Sequence, residues 1–149
     1  MFEQVYGVLK KGKNLSIDEA WLYVIDREIQ DEVVRLNTED QLEEEGIDSL
    51  GRSLGDYSPY TIMIKRAKGQ RTDHVTLKDT GAFYQSFRVI VDSKGMTIEA
   101  DDTSLYDVPL TKTWGIEILG LTDENKGYLK DFLLEKYGKF IARKILGKY

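Results

Sequence analysis

A chain of 149 residues with an ordinary apolar fraction of 41% is long enough for one domain with its own core, and too short for two to be expected. It contains no cysteine, which excludes disulfide frameworks, thiolate metal sites and cysteine nucleophiles together, and fits a reducing compartment. The net charge of −5 argues against a dedicated nucleic-acid binder as a bulk property.

The opening residues, Met1 to Lys11, lack the long apolar run of a signal peptide. No segment approaches the roughly 20 apolar residues that span a bilayer. The expectation is a soluble protein, made and used inside a cell, with no membrane partner. Phe2, Val5, Tyr6 and Leu9 fall at helical spacing, which predicts a short docking helix ended by Lys11-Gly12-Lys13-Asn14. A stronger helix is predicted to open at Ser16, with Glu19 completing a capping box. Ile17, Ala20, Trp21, Val24, Ile25, Ile29, Val33 and Leu36 then form an apolar stripe, while Asp26, Arg27, Gln30 and Asp31 fall on the wet side.

Thr38 is placed to cap a second, acidic helix ending near Gly46, and Glu43-Glu44-Glu45 reads as its solvated face. Gly46, Gly51 and Gly55, with Asp48, Ser49, Asp56, Ser58 and Pro59, mark a loop-rich connection anchored by Tyr57 and Tyr60. Thr61 to Ile64 suits a helical turn after Ser58-Pro59. The run from Lys65 to His74 is basic, centred on Gly69 and nearly free of apolar anchors, so it is expected to be an exposed, mobile loop.

Val75-Thr76-Leu77-Lys78-Asp79-Thr80-Gly81-Ala82-Phe83-Tyr84-Gln85-Ser86-Phe87 reads as a strand, a capped turn and a short amphipathic helix. Asp79 and Thr80 are good N-cap types, Gly81 permits a tight reversal, and Phe83 and Phe87 share one face. Strands are predicted at Arg88–Asp92 and Met96–Ala100, joined as a hairpin through Ser93-Lys94-Gly95. A connection containing Pro109 leads to Trp114, and Ile116 to Leu119 suits a last short strand. The closing helix is capped by Thr122, carries Asp123 and Glu124 in its first turn, and loads its last turns with Lys139, Arg143 and Lys144 before Gly147. Its predicted buried stripe is Leu129, Phe132, Leu133, Tyr137, Phe140, Ile141 and Ile145. The fold expected is α+β, with two long amphipathic helices packed on a small antiparallel sheet and a long exposed basic loop. As a single domain over 1–149 it divides into N-terminal helices (1–48), a loop-rich connection (49–74), a hairpin region (75–119) and a C-terminal helix (122–146).

No constellation for catalysis is apparent. His74 is the only histidine, which excludes a multi-histidine metal site within one chain, and it reads as exposed and incidental. Asp101-Asp102, or Asp79 with Asp73, could hold a divalent ion, but the spacing matches no recognised ligand loop, so no metal and no cofactor are expected. Ser86 has no base near it in sequence and suits a capping or backbone-bonding role. A phosphate-cradling glycine loop is missing. A small enzyme with an unusual carboxylate site is the weakest alternative.

The functional pull is in the basic loop. Lys65, Arg66, Lys68 and Arg71 could touch phosphates, with Tyr57 or Tyr60 stacking on bases, or they could meet the acidic face at Glu43, Glu44 and Glu45 on a neighbouring copy. Segregated opposite charge suits head-to-tail association, which closes into a ring when the rotation allows. A protein contact is the favoured reading, and a nucleic-acid-binding module using residues 65–71 is the alternative.

Gly46-Ile47-Asp48-Ser49-Leu50-Gly51, then Tyr57-Ser58 and Thr61, then Val75-Thr76-Leu77-Lys78-Asp79-Thr80-Gly81-x-Phe83-x-x-Ser86, resembles a family of bacteriophage and prophage head–tail morphogenesis proteins. That family pairs a Leu-x-x-Thr-Gly-x-(Leu or aromatic)-x-x-Ser turn with a following β-hairpin. Its Gly-Leu-Ser/Thr-acidic start to a C-terminal helix is matched by Gly120-Leu121-Thr122-Asp123-Glu124. The resemblance covers residues 40–146 in order and spacing, and departs at Trp114 to Leu119, where many relatives carry a histidine or a Pro-x-Arg-x-Phe element. It implies a non-enzymatic virion protein, assembled in the host cytoplasm, that forms a homo-oligomeric ring at the neck or tail end. Its partners would be copies of itself and other neck or tail proteins. Asp79, Thr80, Gly81, Phe83 and Ser86 would be the motif that shapes its turn.

Overall fold

The computed structural model describes residues 24–92, 95–103 and 108–147. The docking helix expected over 2–10, the capping box at Ser16 and the hairpin turn at Ser93-Lys94 lie outside the described residues. Helix α1 spans Arg27–Arg35 and is continued without a break by a π-helical segment, Leu36–Glu45. Helix α2 covers Pro59–Ala67, a single-turn α3 covers Ala82–Gln85, and strands β1 (Arg88–Asp92) and β2 (Gly95–Glu99) form a two-stranded antiparallel sheet. Helix α4 (Leu110–Trp114) and a 3₁₀ turn (Ile116–Ile118) lead to the long α5, Asp123–Leu146. The fold is mixed α+β: two long helices and a small antiparallel sheet.

Helix α1 starts where it does because Asp26 accepts from the Ile29 N–H at 3.1 Å. One helix running through to Leu36 was the expectation; the chain instead leaves helical geometry at Ile25 and Asp26 and is re-capped there. The stripe of Ile29, Val33 and Leu36 is buried as its spacing predicts. These residues pack with Val24, Ile25, Leu121, Leu129 and Phe140, and the sheet covers the cluster with Val89, Val91, Met96 and Ile98. Strict alternation gives the hairpin this inner face, and the register pairs Val89 with Ile98 and Val91 with Met96. On the outer face Arg88 bonds Glu99 at 2.8 Å.

Thr38 does not cap a second helix. It is buried within the π-helical segment, and its hydroxyl donates to the Val34 carbonyl at 2.8 Å. The wider i→i+5 ladder stacks residues four to five apart on one face, so Leu36 and Asn37 lie above Gln41 and Leu42, and all four are buried. The segment ends at Gly46, whose φ of 63° is left-handed.

The two buried amides of that face hold the far end of the chain. Asn37 donates to the Ile118 carbonyl (3.0 Å) and accepts from the Gly120 N–H (2.8 Å). Gln41 donates to the Gly120 carbonyl (2.8 Å) and accepts from the Thr122 N–H (2.8 Å) and the Asn125 amide (2.9 Å). Residues 116–118 therefore form a 3₁₀ turn, not the strand expected over 116–119, because the Ile118 carbonyl accepts from Asn37 and the Glu117 carbonyl from Ser49 rather than from a neighbouring strand. Helix α5 follows its predicted logic: Thr122 caps the Asn125 N–H at 3.2 Å, and Gly147 closes it with a φ of 63°. Tyr137 departs from the stripe and is 44% exposed.

Candidate interaction site

Helix α2 begins at Ser58, which accepts from the Thr61 N–H at 3.2 Å, with Pro59 in the first turn. Residues 65–67 continue this helix, so the loop predicted over 65–74 is shorter and is tied down along its length. Lys65 turns inward and is 7% exposed. Its ammonium donates to the Lys78 carbonyl at 2.7 Å and to Gln70 Oε1 at 3.2 Å, and lies 4.8 Å from the centre of the Tyr57 ring. Gln70 in turn donates to the Asp79 carbonyl at 2.7 Å.

The segment from Val75 to Lys78 is not the strand expected there; the Val75 N–H donates to the Gly55 carbonyl of the loop-rich connection. Its centre, Thr76, is held from both sides. The Tyr57 hydroxyl accepts from the Thr76 N–H at 2.9 Å, and the Tyr84 hydroxyl donates to the Thr76 carbonyl. Burial raises the Tyr84 phenol above its ordinary range, and the neighbouring Glu43 charge adds to the effect. Leu77 adopts a φ of 58°, a conformation that costs a non-glycine residue about 1–2 kcal/mol. This reversal brings Lys78 onto Glu43, with the ammonium 2.8 and 2.9 Å from the two carboxylate oxygens.

Glu43 is the hub. Its carbonyl accepts from Arg71 at 3.0 Å and from His74 Nε2 at 2.8 Å, so that nitrogen carries the proton. His74 is not an incidental surface histidine: its side chain is 16% exposed and its ring lies against Gly46. Arg71 also pairs with Glu44 (3.1 Å) and Asp73 (2.7 Å), and Lys68 pairs with Asp79 (2.8 Å). The Lys68 bond outweighs partial burial and keeps the Asp79 carboxyl below its usual range.

Of the cations and carboxylates expected to meet between copies, only Arg71 and Glu44 form an ion pair with each other among the described residues; Lys68 pairs with Asp79 and Glu43 with Lys78, and Lys65 is buried. Among the described residues, no ion pair includes Arg66 or Glu45, and both are exposed. The motif residues act architecturally, with corrections. Asp79 does not cap α3 but receives Lys68 and Gln70, while Thr80 accepts from the Ala82 N–H at 3.3 Å. Gly81 occupies the N-cap position with a φ of 88°. Phe83 stacks edge-on against Phe87 at 5.0 Å, and Ser86 donates to the Phe83 carbonyl and accepts from the Asp101 N–H.

What the basic composition hid is the outer face of α2. Tyr60 is 69% exposed, Met63 61% and Ile64 37%, while the lysine of the same helix points inward. Their spacing (60, 63, 64, with Ala67 next) is visible in the sequence, but it reads equally well as a core stripe.

Compared with known protein families, curated proteins and solved structures, the chain gives no match.

Proposed function

We propose that this chain is a non-enzymatic structural protein of a bacteriophage virion, acting in head–tail joining or tail completion by assembling as a ring at the neck or tail interface. The observation that carries the reading is helix α2, which buries its lysine and turns Tyr60 and Met63 outward. Aromatic and methionine side chains on an exposed, rigid element are the usual anchors of protein–protein contacts. The architectural use of His74, Asp79, Tyr84 and Ser86 is consistent with it, since each side chain is engaged by the chain's own backbone or side chains. The order and spacing of the motifs from Gly46 to Glu124 supply the virion setting.

Disrupting the gene in the phage that carries it tests the reading. The expected result is a lysate of filled heads and separate tails, restored to joined particles when purified protein is added. Normally joined, infectious particles from the disrupted phage would overturn it.

A further inference from the structure

Helix α2 is amphipathic in reverse. Its sequence has no acidic residue; Tyr60, Met63, Ile64 and Ala67 recur at i, i+3, i+4 and i+7 on its solvent side, and Arg66 flanks that ridge three residues after Met63. The same chain carries an open groove of about 570 Å³ between the π-helical segment and the Lys78–Gln85 turn. Its lining has four carboxylates, of which Asp40, Glu43 and Glu44 are paired with Arg35, Lys78 and Arg71, and its apolar wall includes Val34 and Tyr84. Glu39 is exposed and, among the described residues, belongs to no ion pair. An apolar ridge edged by an unpaired arginine therefore complements an acidic, partly apolar groove.

Charge decides against the ridge pairing with itself, because ridge on ridge would bring two copies of Arg66 together. Seating the ridge in a groove surrounds it with contacts, and each copy then takes part in two such contacts, once through each surface.

We propose that the Tyr60–Met63–Ile64 ridge of one copy docks in the groove of a second copy, with Arg66 meeting Glu39. This rests on the ring-forming reading above and names its contact. Ridge and groove are different surfaces, so the contact is heterologous, giving a ring if the rotation closes and a filament if it does not.

The test is the mass in solution by light scattering, across protein concentration at low and high salt, for the wild type, Met63→Glu, Arg66→Glu, Glu39→Arg and the Arg66→Glu/Glu39→Arg pair. The expected result is a wild-type oligomer that Met63→Glu and each single charge reversal weaken at least ~10-fold, that the paired reversal largely restores, and thermal midpoints that agree with the wild type's when all are compared at concentrations low enough to be monomeric. A wild type that stays monomeric throughout, or an oligomer indifferent to Met63→Glu and Arg66→Glu, would overturn the docking. An indifferent oligomer leaves ring formation standing. Phage carrying Met63→Glu separates the two ideas: dissociation in solution with normal head–tail joining upholds the contact and counts against the virion role.

Discussion

Gln41 and Thr122 lie 81 residues apart in sequence, yet the Gln41 side-chain oxygen accepts the Thr122 backbone N–H at 2.8 Å. Thr122 is itself the cap of α5, so one buried amide on the π-helical segment sets where the C-terminal helix begins. The same amide group donates to Gly120 and accepts from Asn125, so none of its bonding atoms is left idle in a site that excludes water.

Replacing Gln41 with Leu preserves volume but strands the Gly120 carbonyl and the Thr122 N–H. Each orphaned buried group costs about 1–3 kcal/mol. The expected loss is about 3 kcal/mol in chemical unfolding at neutral pH; a loss below about 1 kcal/mol would show that these backbone groups find other partners.

Gly46 is required twice, by its φ of 63° and by the His74 ring, which overlaps the place where a Cβ would sit. Gly46→Ala should cost more than about 2 kcal/mol, since the left-handed conformation alone accounts for about 1–2 kcal/mol. In a His74→Ala background the added cost of Gly46→Ala should fall toward the conformational part. A double-mutant cycle reads this directly, and additive effects would rule out the steric coupling.

Lys65 holds the Lys78 carbonyl and lies against the Tyr57 ring. Lys65→Glu places a buried anion beside the Lys78 carbonyl oxygen and near Asp79. The expected loss is about 3–5 kcal/mol, with hydrogen exchange accelerating across residues 70–79. Protection unchanged in that segment would show that Lys65 does not hold it.

Acid should destabilise the fold through depressed carboxyls. Burial alone would raise the Asp48 carboxyl, but N–H donation from Arg52 and Leu50 and the Arg52 guanidinium outweigh it and hold the group low. The Arg35 guanidinium does the same for Glu32. A carboxyl lower in the folded than in the unfolded chain contributes fully above the unfolded value of about 4, and that contribution disappears as pH falls through the folded value. The melting midpoint should be nearly level from pH 7 to about 5 and drop below about pH 4. Asp48→Asn should lower the neutral midpoint and shallow the acid limb; an unchanged limb would mean that Asp48 is not a source of it.

Legibility differed from element to element. The presence of the hairpin and the cap, charge pattern and stop of α5 could be read because each depends on neighbours within a few residues, although the second strand begins at Gly95 and pairs it with Asp92, one residue earlier than expected. The π-helical segment read as a new helix capped by Thr38, since a threonine among acidic residues looks the same whether it starts a helix or back-bonds to Val34 inside one. Lys65 to His74 read as a mobile loop because its composition offers little to bury. Its anchors, Glu43, Tyr57 and Asp79, are 8 to 31 residues away from the groups they hold, and nothing local announces them.

By itself, the sequence determined the α+β class, the long C-terminal helix with its Thr122 cap, the hairpin and the helix start at Ser58-Pro59, because period, capping and charge placement are local energies. Only the tertiary structure decided which polar residues face inward. Asn37, Gln41 and Lys65 are buried because distant backbone groups needed partners away from water. Satisfying them turned the other side of α2, with Tyr60 and Met63, out to the solvent.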